Sequence, residues 1–191
     1  HLVSIMIHSF VVLLLFLILR KILKTYILAI IGTTLFLILS GYHEAIFWIS
    51  ATGFLFTSLF SLLALFLFIL WREKSREGGS RALAGKNSIY LVLSLISIVL
   101  SFLFHELGVI TPLIIISYDL VFGENSLKDR YFQKIYLLFL APLLPYLLLR
   151  FISQSHWFSG DYSYNIVKLP FNVIGNALGY FMLDLFGPQV L

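Results

Sequence analysis

Residues 102–122 read FLFHELGVITPLIIISYDLVF, and this stretch decides how the rest of the chain is interpreted. It places His105 and Glu106, the proline Pro112 and a second acid, Asp119, inside otherwise apolar sequence. A charged side chain at membrane depth costs at least about 2.5 kcal/mol on insertion scales, so such residues normally face a bundle interior or an aqueous cavity. The stretch therefore predicts a membrane protein with a polar site at Glu106.

The same dipeptide occurs once more, as His43-Glu44 within GYHEAIFWIS, residues 41–50, again between two apolar runs. An acid at such a junction can act as a general base, bind a cation or a divalent metal, or orient the adjacent histidine. It can equally cap a helix or bond to a neighbouring one. The zinc-protease pattern H-E-x-x-H is excluded, because Phe47 and Val109 stand where the second histidine would be.

Composition gives the class of the protein. Of its 191 residues, 60% are hydrophobic and 12% charged, and the mean hydropathy is +1.00, whereas soluble domains are about 25% charged. The chain has no cysteine, which excludes disulfides and thiolate chemistry. In such a chain the net charge of +4 is a topology signal and implies no nucleic acid. We expect an all-α, polytopic transmembrane helical bundle.

The apolar runs predict six or seven spans in a single transmembrane domain, since about 20 residues cross a bilayer core. Pro142 and Pro145 predict a bend in the sixth span, because proline removes a backbone hydrogen bond. The predicted spans cover residues 1–19, 25–40, 48–70, 87–104, 109–122 and 135–149, and 171–186 is either a seventh span or a re-entrant segment.

The distribution of lysine and arginine predicts an orientation. The connectors after the first, third and fifth spans carry three, five and three of the 13 lysine and arginine residues. By the positive-inside rule these connectors are cytoplasmic, including loop 72–86, and segment 150–170 is extracytoplasmic. Both His-Glu pairs then lie on the extracytoplasmic side. Trp48 and Trp71 mark the ends of the third span as interfacial aromatics, and Asp119 is expected to be an interfacial charge at a helix end.

Four segments together resemble a known family. They are HLVSIMIHSFVVLLLFLILRKIL, GYHEAIFWIS, the stretch 102–122, and LAPLLPYLLLR, which ends at Arg150. Their order resembles polytopic GT-C glycosyltransferases of the protein O-mannosyltransferase-like group, which includes the transmembrane and tetratricopeptide-repeat mannosyltransferases and their bacterial relatives. Those proteins typically read H-L-V-N-x-x-x-H, then H-x-x-H-T-E-A-V-x-W-I-S, then S-K-E-x-x-x-T-L-P-x-x-x-x-x-Y-D.

The resemblance assigns roles by position. Glu44 stands at the acid of the family's second loop, and Glu106 stands at its Lys-Glu acid. His105 replaces the family's lysine, His43 a threonine and Tyr42 a histidine, which are departures from the pattern. The residues expected to bind or position substrate are His43, Glu44, Trp48, His105, Glu106 and Arg150, those expected to be structural or interfacial are Pro112, Tyr118 and Asp119, and Glu44 and Glu106 are the candidate donors for a divalent metal.

The resemblance implies a glycosyltransferase that moves a sugar, such as the hexose mannose, from a polyprenyl-phosphate donor in the bilayer to a protein or glycan acceptor on the extracytoplasmic face. The family's first span and the loop with its catalytic Asp would precede His1, so we expect no catalytic residue here and a longer parent chain. Two alternatives stay open. The chain is a transporter or channel that uses Glu44 and Glu106 as ion or proton sites, or a non-catalytic membrane subunit.

Overall fold

The fold is given by a computed structural model that describes residues 1–38, 51–77, 88–123, 130–152 and 169–186. Every element in these ranges is helical, which confirms the predicted all-α class. The elements are α1 (Leu2–Leu23), α2 (Tyr26–Ile38), α3 (Thr52–Glu77), α4 (Ser88–Phe104), a 3-10 helix (Glu106–Ile110), α5 (Thr111–Phe122), α6 (Arg130–Leu140), α7 (Leu143–Ile152) and α8 (Leu169–Phe186).

Three helical segments among the described residues are long and apolar enough to cross a membrane: Leu2–Leu23, Thr52–Ser75 and Gln133–Ile152. The apolar helices α2 and α5 are shorter, with 13 and 12 residues, or about 20 and 18 Å at 1.5 Å per residue. These lengths fit a membrane protein with several spans. The total of six or seven spans stays a prediction. Whether α8 crosses the membrane also stays a prediction, although its bounds lie close to the predicted segment 171–186.

The predicted bend of the sixth span is confirmed as an interruption between α6 and α7. A turn at Ala141 and Pro142 separates the two helices, and the N–H of Leu144 donates to the carbonyl of Ala141 at 3.2 Å. Proline at position 142 has no N–H with which to continue the ladder of α6. Pro145 falls in the first turn of α7, where a missing N–H is tolerated. Arg150 lies in the last turn of α7, after this interruption.

The centre of the bundle is the packing of α3 against α4, and α1 also packs against α3. Ser94 Oγ donates to the carbonyl of Ala64 across this seam at 2.8 Å, and Thr57 Oγ1 donates to that of Ser101 at 3.2 Å. Small hydroxyl residues of this kind let helices approach closely in a bilayer. The buried core around the seam comprises Ile18, Ala64, Leu65, Phe68, Ile69, Trp71, Ile98, Phe102, Ile115, Ile135 and Phe139.

Two predictions about the end of the third span are wrong. Trp71 is not an interfacial anchor, because it is 1% exposed and packs on Phe68 with a ring separation of 5.5 Å. The residues after it do not begin a solvated loop, because α3 continues to Glu77. Lys74 donates to the hydroxyl of Tyr90 on α4 at 2.7 Å, so this last part of α3 is packed against its neighbour. The apolar run thus ends at Trp71, whereas the helix α3 continues to Glu77.

The contacts give the bundle two chemically different ends. At one end, which we call the basic end, Lys21 of α1 pairs with Glu73 of α3 at 2.5 Å, beside Lys74. At the opposite end, the start of α3 lies against the end of α4, and a Cβ on Gly53 would stand 3.1 Å from the carbonyl oxygen of Phe104. This second end, the Glu106 end, also carries the 3-10 helix.

Candidate functional site

Glu106 is held by a short, well-defined connection between α4 and α5. α4 ends at Phe104, and His105 takes an extended conformation with φ −159° and ψ 148°. The Nδ1 atom of His105 accepts a hydrogen bond from the N–H of Leu107 at 3.2 Å, which caps the 3-10 helix. The imidazole also packs on the ring of Phe54 at 4.1 Å. His105 therefore fixes the backbone that presents Glu106.

Gly108 brings this connection close to α4. It is buried, and a Cβ added to it would overlap the backbone carbonyl of Ser101. A larger residue would thus push the 3-10 helix away from α4 or distort it. Thr111 and Pro112 follow at the start of α5, where both are buried, and proline in the first helical turn costs no backbone hydrogen bond. The segment from His105 to Pro112 is consequently a rigid support for Glu106.

Glu106 forms an ion pair with Arg150 of α7, in which Nη2 of the guanidinium donates to Oε2 of the carboxylate. The Nη1 atom of Arg150 donates to the hydroxyl of Tyr146, one turn earlier on α7, at 2.9 Å. Tyr146 in turn packs against Phe102 of α4 at 5.5 Å. The side chain of Glu106 is 48% exposed and that of Arg150 is 22% exposed. The pair is therefore accessible to a ligand, whereas its support is packed.

Large apolar side chains are exposed next to the pair along the chain. The fractional exposures are 51% for Leu107, which follows Glu106, and 41% for Leu147, which lies one turn before Arg150 on the same side of α7. In a membrane protein such surface faces lipid, with charged groups towards the water boundary. An anion attached to a long apolar chain matches this combination, because Arg binds phosphate and carboxylate through its planar fork and the apolar surface accommodates the chain.

Asp119 lies in a different environment and is not the interfacial charge that we predicted. It is fully buried, with 0% exposure, near the end of α5 that faces the basic end of the bundle. Arg72 Nε lies 2.5 Å from its Oδ1, and the hydroxyl of Tyr136 on α6 donates to its Oδ2 at 2.5 Å. A buried carboxylate with both oxygens bound is a structural junction between α3, α5 and α6.

The neighbouring Tyr118 has a role compatible with the structural one expected. Its ring meets Phe68 edge-on at 6.4 Å and lies 5.2 Å from Phe122. Pro112 is buried at the start of α5. These two residues and Asp119 thus belong to the packing of α5, and they lie outside the Glu106–Arg150 pair.

Among the described residues, no second and third side chain stand beside Glu106 to complete a metal site. The carboxylate is already bound to a cation, and Nδ1 of His105 is occupied by the backbone of its own connection. Within the described ranges no three His, Asp or Glu side chains cluster in a way that could hold a metal. The other candidate donor, Glu44, lies outside those ranges.

Three of the residues expected to bind substrate, His43, Glu44 and Trp48, also lie outside the described residues, so a cavity shared by Glu44 and Glu106 stays a prediction. The structure does bring Glu106 and Arg150 together across 44 residues of sequence. Sequence reasoning did not identify Tyr146, although its position one turn before Arg150 is a usable signal. No family model, curated protein or solved structure matches the chain.

Proposed function

We propose that the chain belongs to an integral membrane glycosyltransferase that moves a sugar, such as mannose, from a polyprenyl-phosphate donor to a protein or glycan acceptor. The observation that supports this most directly is the accessible Glu106–Arg150 pair beside exposed apolar side chains. A polyprenyl phosphate combines an anion with a long apolar chain, and the guanidinium provides the fork geometry that phosphate oxygens prefer. The motifs quoted above point to the same substrate class.

The chemistry assigns a definite task to Arg150. An acceptor hydroxyl attacks C1 of the donor sugar, the bond from C1 to the phosphate oxygen breaks, and the phosphate leaves with the electron pair. Negative charge therefore builds up on the leaving phosphate, and a fixed cation stabilises it. The hydroxyl proton passes to a general base, a role that we assign to no residue of this chain. Within this chain, Arg150 binds the phosphate, and its bonds to Tyr146 and Glu106 hold the guanidinium at the site before the donor binds.

The proposed side of the membrane follows from the two ends of the bundle. Lys21 and Lys74 lie at the basic end, which the positive-inside rule assigns to the cytoplasm, and Glu106 and Arg150 lie at the other end. The site would thus face the extracytoplasmic side.

The proposed orientation is tested by thiol labelling. The chain has no cysteine, so a single one can be introduced without background. In intact cells, a membrane-impermeant thiol reagent should label Gly160→Cys, in the segment predicted to be extracytoplasmic, and should leave Lys24→Cys unlabelled until the cells are opened. Labelling of Lys24→Cys alone in intact cells would invert the orientation and place the site on the cytoplasmic side.

The proposed function is tested first by Glu106→Gln in the protein expressed from its complete gene. Loss of the carboxylate charge should lower sugar transfer by about 10- to 1000-fold, the scale observed when one positioning or electrostatic group is removed. The measurement is transfer from a radiolabelled polyprenyl-phosphate sugar in membranes at matched expression. Glutamine keeps the shape of the side chain, so the amount of folded protein should not change.

Glu73→Gln is the matched control. The Lys21–Glu73 pair has similar exposure, 28% and 46%, and it lies at the basic end. The variant makes the same change of charge far from the site and should transfer sugar at the wild-type rate. If Glu106→Gln also transferred at that rate, the Glu106–Arg150 pair would be only a structural contact.

A further inference from the structure

The guanidinium of Arg150 is held at two separate nitrogens. Nη1 donates to the hydroxyl of Tyr146 on the same helix, whereas Nη2 donates to Glu106 on a different segment. The bond to Tyr146 can therefore keep the guanidinium in place while Nη2 changes its partner. An accessible ion pair is also weak enough to be exchanged, since water competes for both of its partners.

The Arg72–Asp119 pair is a buried ion pair in the same bundle and serves as a comparison. Asp119 is fully buried and is bound through both carboxylate oxygens, by Arg72 and by Tyr136. Glu106 is half exposed, and its bond to Arg150 uses Oε2. A competing anion can reach the second pair but not the first. The two ion pairs are thus suited to different roles.

We infer that Glu106 is an internal counter-ion of Arg150, and that the phosphate of the donor lipid replaces it on Nη2. This inference rests on the proposed function, because it takes the polyprenyl phosphate as the ligand. Without the lipid, the carboxylate balances the charge of the guanidinium beside an apolar surface. When the lipid binds, Tyr146 retains Nη1, the phosphate takes Nη2, and the released carboxylate accepts hydrogen bonds from sugar or acceptor hydroxyls.

The exchange makes binding and turnover respond in opposite directions to loss of the carboxylate. A ligand that must displace an internal partner binds only the fraction of the protein in which that partner is released. Its apparent affinity is therefore lower than the intrinsic one in proportion to that fraction. Removing Glu106 abolishes this competition, so the phosphate lipid should bind more tightly. Sugar transfer should still fall, because the released carboxylate is missing. A carboxylate that only oriented Arg150 would weaken both binding and turnover when removed.

The experiment measures binding of radiolabelled polyprenyl phosphate, without a sugar, to the protein from the complete gene in nanodiscs. Glu106→Gln and Glu106→Ala should both lower the Kd by about 3- to 10-fold. Two variants are used so that a folding defect in one does not decide the result, and each is compared with wild type by thermal melting. Glu73→Gln should leave the Kd unchanged. Inorganic phosphate at millimolar concentration should not displace the lipid.

The outcomes separate this inference from the proposed function. An unchanged or higher Kd in both folded Glu106 variants would overturn the counter-ion role, with the glycosyltransferase proposal left intact. Failure of the wild-type protein to bind polyprenyl phosphate would reject the proposed substrate class itself. Displacement of the lipid by inorganic phosphate at millimolar concentration would show that the apolar chain is not recognised and would overturn the lipid as the ligand.

Discussion

Asp119→Ala should lower the stability of the protein by about 3–5 kcal/mol, the scale on which breaking one partner of a buried ion pair acts. The variant leaves Arg72, whose side chain is 11% exposed, and the hydroxyl of Tyr136 without the carboxylate that joins α3 to α5 and α6. For a domain of this length, a loss of that size corresponds to a fall in melting temperature of roughly 10 °C. Thermal unfolding in detergent, followed by fluorescence, measures it.

Two controls isolate the buried charge as the cause. Glu73→Ala removes one partner of an exposed pair and should change the stability by less than about 1 kcal/mol. The double variant Arg72→Met/Asp119→Leu removes both charges and should recover most of the lost stability, since apolar replacements of buried pairs are often neutral. If Asp119→Ala melted like wild type, the carboxylate would not hold the three helices together.

This expected loss concerns folding and not the proposed chemistry. Asp119 lies 13 residues after Glu106, along the 3-10 helix and α5, which corresponds to roughly 20 Å at helical rise. Sugar transfer by Asp119→Ala should thus fall in proportion to the amount of folded protein in the membrane. Substitutions at the Glu106 end are expected to do the opposite: they should leave the melting temperature unchanged and lower the sugar transfer per folded protein.

The features that could be predicted from sequence are local ones. Apolar runs long enough for helices give the all-α class, and Pro142 gives the interruption between α6 and α7, because each depends on neighbouring residues only. The acid at 106 was also identifiable, since a charge within apolar sequence needs a partner or water. Its partner was not, because Arg150 is 44 residues away and the pairing depends on how α7 packs.

The failed predictions concern burial, which depends on the same long-range packing. Trp71 and Asp119 both lie near the ends of apolar runs, where an interfacial position is the usual expectation. The structure buries both, because α3 continues past its apolar run and Arg72 reaches Asp119 across 47 residues. Gly108 is a similar case, since the need for glycine arises from the approach of Ser101 on α4 and not from its own neighbours.

Arg150→Gln should have the largest effect on sugar transfer, lowering kcat/KM by about 1000-fold, at the upper end of what removal of one charge-stabilising donor costs. The variant removes the cation that balances the phosphate, and it leaves the Glu106 carboxylate facing the incoming anion. Both effects act on the leaving phosphate, so KM should rise and kcat should fall. The measurement is transfer from a radiolabelled polyprenyl-phosphate sugar, with the melting temperature as the check on folding.

Graded variants at the same position distinguish charge from geometry. Arg150→Lys keeps the charge but loses the planar fork, so its transfer should lie between those of wild type and Arg150→Gln. Tyr146→Phe removes only the hydroxyl that holds Nη1, and it should cost less than about tenfold. The double variant Glu106→Gln/Arg150→Gln should be no slower than Arg150→Gln, because residues that act as one unit are not additive. Wild-type transfer by a folded Arg150→Gln protein would exclude Arg150 from phosphate binding.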